Sequence, residues 1–374
     1  MQDGQIMLRS ITYNLRKCTY RTYSSSVVCL SPATIHSGET IIERSDYPLD
    51  TCKDIIGDRK IAVLGYGPQG RGQALNLRDN GFDVCVGVRE NGDSWHHAEK
   101  DGWTEGESLF CIEGAAKQGN IIQYLLSDAA QIQCWNTIHP HLTQGKTLYF
   151  SHGFGLTFHE DTRIVPPKNI DVLVVAPKGS GLTVRTHFLE GRGINSSYAI
   201  HQDVSGSARD TCLALAFGIG TGHAFETTTE KEVFSDLTGE RCVLMGLIQG
   251  AFSAQYSVLR ENGHSPSEAY NETVEEALES LYPLISKHGM DWMFANCSTT
   301  AQRGALDWAP RFESALYPII QDCYEDVKSG VEARRSIEAN SDPDYRSKLN
   351  EELEEIRNSE LWTTARELRK YRPE

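Results

Sequence analysis

No run of eighteen apolar residues occurs in this 374-residue chain, which argues against a membrane-spanning helix. No Cys-x-x-Cys pair occurs among the ten cysteines, so reduced, scattered thiols are expected and no zinc ribbon. Positive charge is scarce: 36 Lys and Arg face 51 Asp and Glu, leaving a net charge of -15. That balance argues against a general nucleic-acid binder, and an anionic ligand would need locally placed cations. Acid in turn is scarce in the first 38 residues, where Asp3 stands alone against Arg9, Arg16, Lys17 and Arg21, with a run from Ser24 to Ser26. A basic, Ser-rich, acid-poor stretch has the composition of an organelle transit peptide, for the mitochondrial matrix or the plastid alike.

What remains reads as two domains, 39–227 and 228–374, entered through an acidic linker over Glu39–Asp58. Lys60-Ile-Ala-Val-Leu is a short buried strand that runs into Gly65-Tyr-Gly67-Pro-Gln69-Gly70. A helix from Gln69 to Asn80 and a second strand, Asp83–Arg89, follow. A G-x-G-x-x-G sequence between strand and helix is a dinucleotide fingerprint, because glycine lets the backbone approach a pyrophosphate at a helix N-terminus. An NAD-preferring site usually carries an acid at the end of the second strand. That acid is missing, and Arg89 stands there with Ser94 close behind. Both can hold a 2′-phosphate, so NADPH is the expected cofactor. The cofactor candidates are Gly65, Gly67, Gln69, Gly70, Arg89, Ser94 and Ser127. Continued alternation through Asn120–Leu126, Thr147–Phe150 and Asp171–Ala176 predicts a parallel sheet with helices on both faces. His152 and Lys178 follow two of those strands and would face the nicotinamide crevice.

After about Thr227 strand signals fade. Thr229 and Glu232 read as a capping box opening one helix that stops at Asn262-Gly263. Val233, Leu237, Leu244, Leu247, Ile248, Ala251, Gln255 and Val258 form its stripe, with Asp236 and Glu240 at the edge. Two carboxylates beside a buried face need compensation, either from Lys or Arg partners or from a hard divalent cation. Pro266–Lys287 is a second helix, capped by Ser265, whose Glu272 and Glu276 lie opposite its apolar stripe; a plain solvated surface is the simpler reading of that pair. A segment after Met290, a helix over Pro310–Ser329 and two charged surface helices complete the chain.

Taken together, Gly65-Tyr-Gly-Pro-Gln-Gly70, Ser151-His-Gly-Phe154, Ala176-Pro-Lys-Gly-Ser-Gly181, Ser235-Asp-Leu-Thr-Gly-Glu240, Asn271-Glu-Thr-Val-Glu-Glu276 and the stretch from Cys297-Ser298 resemble ketol-acid reductoisomerase. The resemblance runs from about Gly57 to the C-terminus and is nearest to the short, fungal mitochondrial form. Pro68, Arg71 and Gly155 depart from the usual pattern. The resemblance implies an N-terminal Rossmann dinucleotide-binding domain, an α/β fold, followed by an all-helical, knotted domain. It implies two Mg²⁺ ions, with Asp236 bridging them, Glu240 binding one, and Glu272 and the catalytic Glu276 completing the other. It further implies that Ser298 binds the substrate carboxylate, Lys178 orients a water on the cation and His152 sits by the reacting centre. The implied reaction converts 2-acetolactate or 2-aceto-2-hydroxybutyrate, by alkyl migration and NADPH reduction, into 2,3-dihydroxy acids for valine and isoleucine. A homodimer or higher homo-oligomer with shared sites is implied as well. Two other readings stay open: a metal-independent NADP-dependent dehydrogenase of the β-hydroxyacid type with Lys178 as acid, and a non-catalytic dinucleotide-binding regulator.

Overall fold

The computed structural model describes residues 33–35 and 37–372; the expected leader, 1–38, lies outside them as far as residue 32. The strands are β1 (Ala33–Thr34), β2 (Thr40–Glu43), β3 (Ile61–Leu64), β4 (Val84–Gly87) and β5 (Leu109–Phe110). They continue with β6 (Ile121–Tyr124), β7 (Thr147–Phe150), β8 (Asp171–Pro177), β9 (Ser196–Gln202) and β10 (His223–Glu226). One sheet joins them in the order β1-β2-β10-β9-β8-β7-β6-β3-β4-β5. From β5 to β8 every pairing is parallel, and the order reverses between β3 and β6. This is the doubly wound arrangement, in which ligands collect outside the carboxyl ends of strands at the reversal.

Central strands β3, β4, β6 and β7 are buried on both faces, as parallel strands under two helical layers must be. Ile61, Val63, Tyr149 and Val175 face one core, with the helices Pro68–Asp79 and Ala208–Gly218. Ala62, Leu64, Leu148 and Val174 face the other.

Two expectations for this half need correction. The stretch Glu39–Asp58 is no linker: β2 pairs antiparallel with β10, and Leu49–Ile56 is helical. Arg44 fastens it by donating to the carbonyls of Thr221 at 2.7 Å and Gly220 at 2.6 Å. The sheet is also not wholly parallel, since β9 pairs antiparallel with β8. The helix Gly181–Leu189 returns the chain to the end of β8 that it left, so Ser196 lies opposite Pro177.

The helical half departs further. The helix from Thr229 ends at Gly239, and Glu240–Leu244 is a wide π-turn in which Cys242 leaves helical geometry (φ -95°, ψ -117°). A new helix runs from Gly246 to Glu261. The predicted stripe does not survive this kink: Val233 and Leu237 are buried, but Leu244 and Val258 are exposed and Phe252 and Tyr256 are buried instead. Thr229–Glu261 as a whole reaches a mean hydropathy of 1.4 over eighteen residues, enough in length and composition for a membrane span. The second rod runs from Pro266 to His288 with π-turns at Asn271–Glu275 and Ala277–Leu281. The helix expected from Pro310 begins at Thr299 and passes through Pro310 and Pro318 to Lys328. Three helices follow rather than two, and the last, Glu360–Arg369, is not purely surface. Its Leu361 and Ala365 pack on Phe252, Tyr256 and Tyr270.

Candidate active site

Parallel β7 and β8 end side by side, and the chain then turns through Ser151-His152 on one and Lys178 on the other. Opposite them stands the helix Thr229–Gly239, close enough that a Cβ on Gly153 would lie 2.5 Å from Thr229 Cγ2. The group at the centre is Glu232, whose side chain is 1% exposed. Its Oε2 lies 3.2 Å from His152 Nδ1 and accepts from the Gly153 N–H at 3.3 Å, while Lys178 Nζ donates to Oε1 at 3.0 Å. A buried carboxylate is tolerable only when paired like this. Burial alone would raise its pKa, but the hydrogen bond and charge of His152 and the charge of Lys178 hold it low.

Glu232 does not play the capping role that its spacing from Thr229 suggests. Thr228 is the N-cap, accepting from the Lys231 N–H at 3.2 Å, so Glu232 is one residue beyond the box position and turns into the site.

His152 Nδ1 also lies 3.3 Å from Asp236 Oδ2. Burial works against its protonation, but the hydrogen bond to Glu232 and the charges of Glu232, Asp236 and Asp128 push its pKa up to about 9. Asp128 sits against the same group, and burial raises its pKa. Glu240 is raised too, by burial and then by the charge of Asp236. Four carboxylates thus gather around two cationic side chains, His152 and Lys178. Such an excess of hard oxygen donors fits a divalent cation. Among the described residues, His152, Glu232 and Asp236 form the one group with three possible ligand atoms within 4.8 Å of one another.

The other expected ligands are not brought to this cluster within one chain. Glu272 and Glu276 are exposed on the Pro266–His288 rod. Between them Glu275 is neutralised by Arg372 and by the Tyr270 hydroxyl, 2.9 Å away, whereas Glu272 and Glu276 have no ion-pair partner among the described residues. Ser298 caps the Thr299–Lys328 helix, accepting from the Ala301 N–H at 3.3 Å.

At the sheet reversal Gly65 holds φ +104°, and a Cβ there would lie 2.6 Å from the Leu125 carbonyl oxygen. A Cβ on Gly70 would meet the Gly65 oxygen at 2.2 Å, whereas Gly67 faces open space. The helix Pro68–Asp79 begins here with first-turn N–H groups that have no intrahelical acceptor. This cradle fits a pyrophosphate. Gln69 contributes differently than expected, since its amide donates to the Gly179 carbonyl at 2.9 Å. The departing Arg71 is engaged by Asp101 at 2.6 Å, and Gly155 leaves room for Ile164, which a Cβ would meet at 2.8 Å. Arg89 is exposed at the end of β4 with no ion-pair partner among the described residues, and Ser94 lies in the first turn of the helix Asp93–Lys100. Ser127 is the exposed N-cap residue of Asp128–Ile138, and its side chain makes no capping bond.

The sequence matches two family models, "Acetohydroxy acid isomeroreductase, NADPH-binding domain" over residues 55–224 and "Ketol-acid reductoisomerase, C-terminal domain" over residues 229–374. The chain belongs to the ketol-acid reductoisomerase family. It is 59% identical to the mitochondrial ketol-acid reductoisomerase of Saccharomyces cerevisiae, over 90% of this chain and 85% of that protein. The NAD(+) ketol-acid reductoisomerase of Desulfosudis oleivorans is 54% identical, over 90% and 96%. Among solved structures, the NADH-preferring ketol-acid reductoisomerase from an uncultured archean superposes with a TM-score of 0.79 at 31% identity, covering 89% of this chain and 99% of that one. Membership in this family makes the chain an oxidoreductase with a nicotinamide-cofactor domain, and its fold is the expected Rossmann half followed by a helical half.

Proposed function

We propose that this chain carries out the Mg²⁺-dependent alkyl migration and NADPH reduction of 2-acetolactate and 2-aceto-2-hydroxybutyrate to 2,3-dihydroxy acids, in valine and isoleucine synthesis. The observation that carries this reading is the surplus of carboxylates around His152 and Lys178 at the strand ends beside the glycine loop. A metal-free dehydrogenase would have no use for four acids there. When bound, the cations supply Lewis acidity at the substrate hydroxyl and ketone, and the nicotinamide supplies hydride. Asp236 and Glu240 would hold the cations. Buried Glu232 fixes His152 through Nδ1 and Lys178 through Nζ. That leaves His152 Nε2–H and two further Lys178 N–H groups to donate to substrate oxygens, one of which takes up a proton after hydride transfer.

The site is completed by a second copy, through the partner's Glu272 and the partner's Glu276. Two features support this: the acids on the rod, without ion-pair partners among the described residues, and the open apolar surface of the helical half, with Leu244 66%, Phe312 60% and Tyr317 68% exposed. Covering each such side chain is worth roughly 1.5–3 kcal/mol. The apolar Thr229–Glu261 stretch is then an interface rather than a membrane span. The unpartnered Arg89 and Ser94 favour NADPH, although relatives are named for both nucleotides. Kinship with proteins named mitochondrial supports import into that compartment.

The test is NADPH consumption by the purified chain with 2-acetolactate, with and without Mg²⁺. Turnover that EDTA leaves intact would replace this reading with the metal-independent dehydrogenase.

A further inference from the structure

Behind the site runs a chain of hydrogen bonds through two amides, buried Gln73 and half-buried Gln69, that the reaction itself does not use. Gln73, on the helix that follows the glycine loop, is fully buried. Its Oε1 accepts from the Tyr149 hydroxyl at 2.9 Å. Its Nε2 donates to Ser151 Oγ at 2.8 Å and to Gln69 Oε1 at 3.1 Å. Three of the amide's four hydrogen-bonding directions are therefore in use, both N–H groups among them, and its orientation is fixed. Tyr149 is fully buried and its phenol pKa is pushed up by that burial, so the hydroxyl stays a donor.

The connections close on themselves. Gln69 donates onward to the Gly179 carbonyl, beside Lys178. Lys178 and His152 meet on Glu232, and His152 adjoins Ser151. Glycine loop, Lys178 turn and His152 turn thus form one ring, with Gln73 as the only member bonded to both Gln69 and Ser151. The backbones are locked as well, since a Cβ on Gly181 would lie 2.0 Å from the Pro68 carbonyl carbon and one on Gly72 would lie 2.7 Å from the Gly181 oxygen.

Resting on the reaction assigned above, we propose that Gln73 is a positioning residue that transmits dinucleotide binding at the glycine loop to the placement of His152 and Lys178. The experiment uses the full chain and three variants: Gln73→Leu, Tyr149→Phe, and the two combined. Tyr149→Phe removes the donor that Gln73→Leu would strand, so the double variant regains stability without regaining the links to Gln69 and Ser151. Tyr149→Phe alone should keep kcat within about threefold of wild type. The double variant should lose at least about tenfold in kcat, with the KM for NADPH changed less than about threefold. Independently of turnover, the His152 ring resonances, assigned by their loss in His152→Gln, should shift on NADPH binding in wild type and stay still in the double variant. A double variant as fast as Tyr149→Phe would reduce Gln73 to a packing residue. Equal changes in KM and kcat, or a His152 response that survives, would also overturn the proposal. A wild-type chain that binds NADPH and shows the His152 response but does not turn over acetolactate would count against the assigned reaction and not against this coupling.

Discussion

In the sheet half of this molecule the largest apolar side chains are sealed from solvent on both faces, Tyr149 in one core and Tyr124 with Phe150 in the other. In the helical half Leu244, Trp308, Phe312 and Tyr317 lie open, and two of the expected metal ligands, Glu272 and Glu276, are exposed. The same contrast runs through the charges. Glu232, at the junction with the sheet, has every oxygen engaged, while Glu272 and Glu276 have no ion partner among the described residues. On the proposed reading, a single chain holds its nucleotide half alone and leaves its metal half to a second copy, which makes assembly part of the active site and not only of stability.

The sharpest way to break this comparison is to remove the acid at its border. Asp236→Asn should abolish both migration and reduction, by at least about a thousandfold or ~4 kcal/mol of barrier. Mixed after unfolding with Glu272→Gln, itself dead, it should regain about a quarter of wild-type activity, because half the dimers are mixed and each has one intact site. A mixture that stays dead despite proven subunit exchange would return the second acid pair to its own chain. Next in size is a charge on the open face. Phe312→Asp should weaken subunit association by at least about a hundredfold, close to 3 kcal/mol, measured by sedimentation. Val174→Asp, in the closed half, should instead prevent the chain from folding at any concentration. If Phe312→Asp leaves sedimentation unchanged, the open face is not the interface.

Smaller effects sharpen the nucleotide half. Replacing Arg89 and Ser94 together with Ala should weaken NADPH by ten- to a hundredfold, about 1.5–3 kcal/mol, and leave NADH nearly unchanged. Equal losses would show that these residues merely shape the loop. The smallest effect belongs to Asp101, held below the usual carboxylate range by its hydrogen bond with Arg71 and assisted by Tyr66. A depressed folded pKa contributes stability above the unfolded value, near 4, and loses it as pH falls through the folded one. The deficit of Asp101→Asn in urea unfolding, no more than about 1 kcal/mol at pH 7 because Arg71 is half exposed to screening solvent, should therefore shrink on acidification below about pH 4. A deficit independent of pH would mean the carboxylate charge is not its source.

Some of this was legible before any coordinates. The glycine loop was legible because strand, turn and helix signals fall within one local stretch, and His152 and Lys178 because each directly follows a buried strand. Glu232 was not, because its partners lie 80 and 54 residues away and its local context is that of an ordinary helix start. The kink at Cys242 was invisible for a different reason. Apolar residues continue through it, so the periodicity reads as one helix while the buried face rotates from Leu237 to Phe252. Pro310 misled in the opposite sense, since it reads as a helix start but lies inside a helix that begins at Thr299. Sequence alone also could not reveal that β9 would pair antiparallel, because strand direction depends on where the helix before it delivers the chain.

The contact between Gly181 and Pro68 carries a consequence for how this molecule can change over generations. Nothing larger than hydrogen fits at residue 181, so the turn bearing Lys178 and the turn that begins the nucleotide-binding helix are inherited as one block. The loop from Arg89 to Ser94 is outside that block and outside the ring of hydrogen bonds behind His152. It is an exchangeable part. On the proposed assignment of Arg89 and Ser94 to the nucleotide, a change of a residue or two there would alter nucleotide preference and leave the chemistry next door untouched.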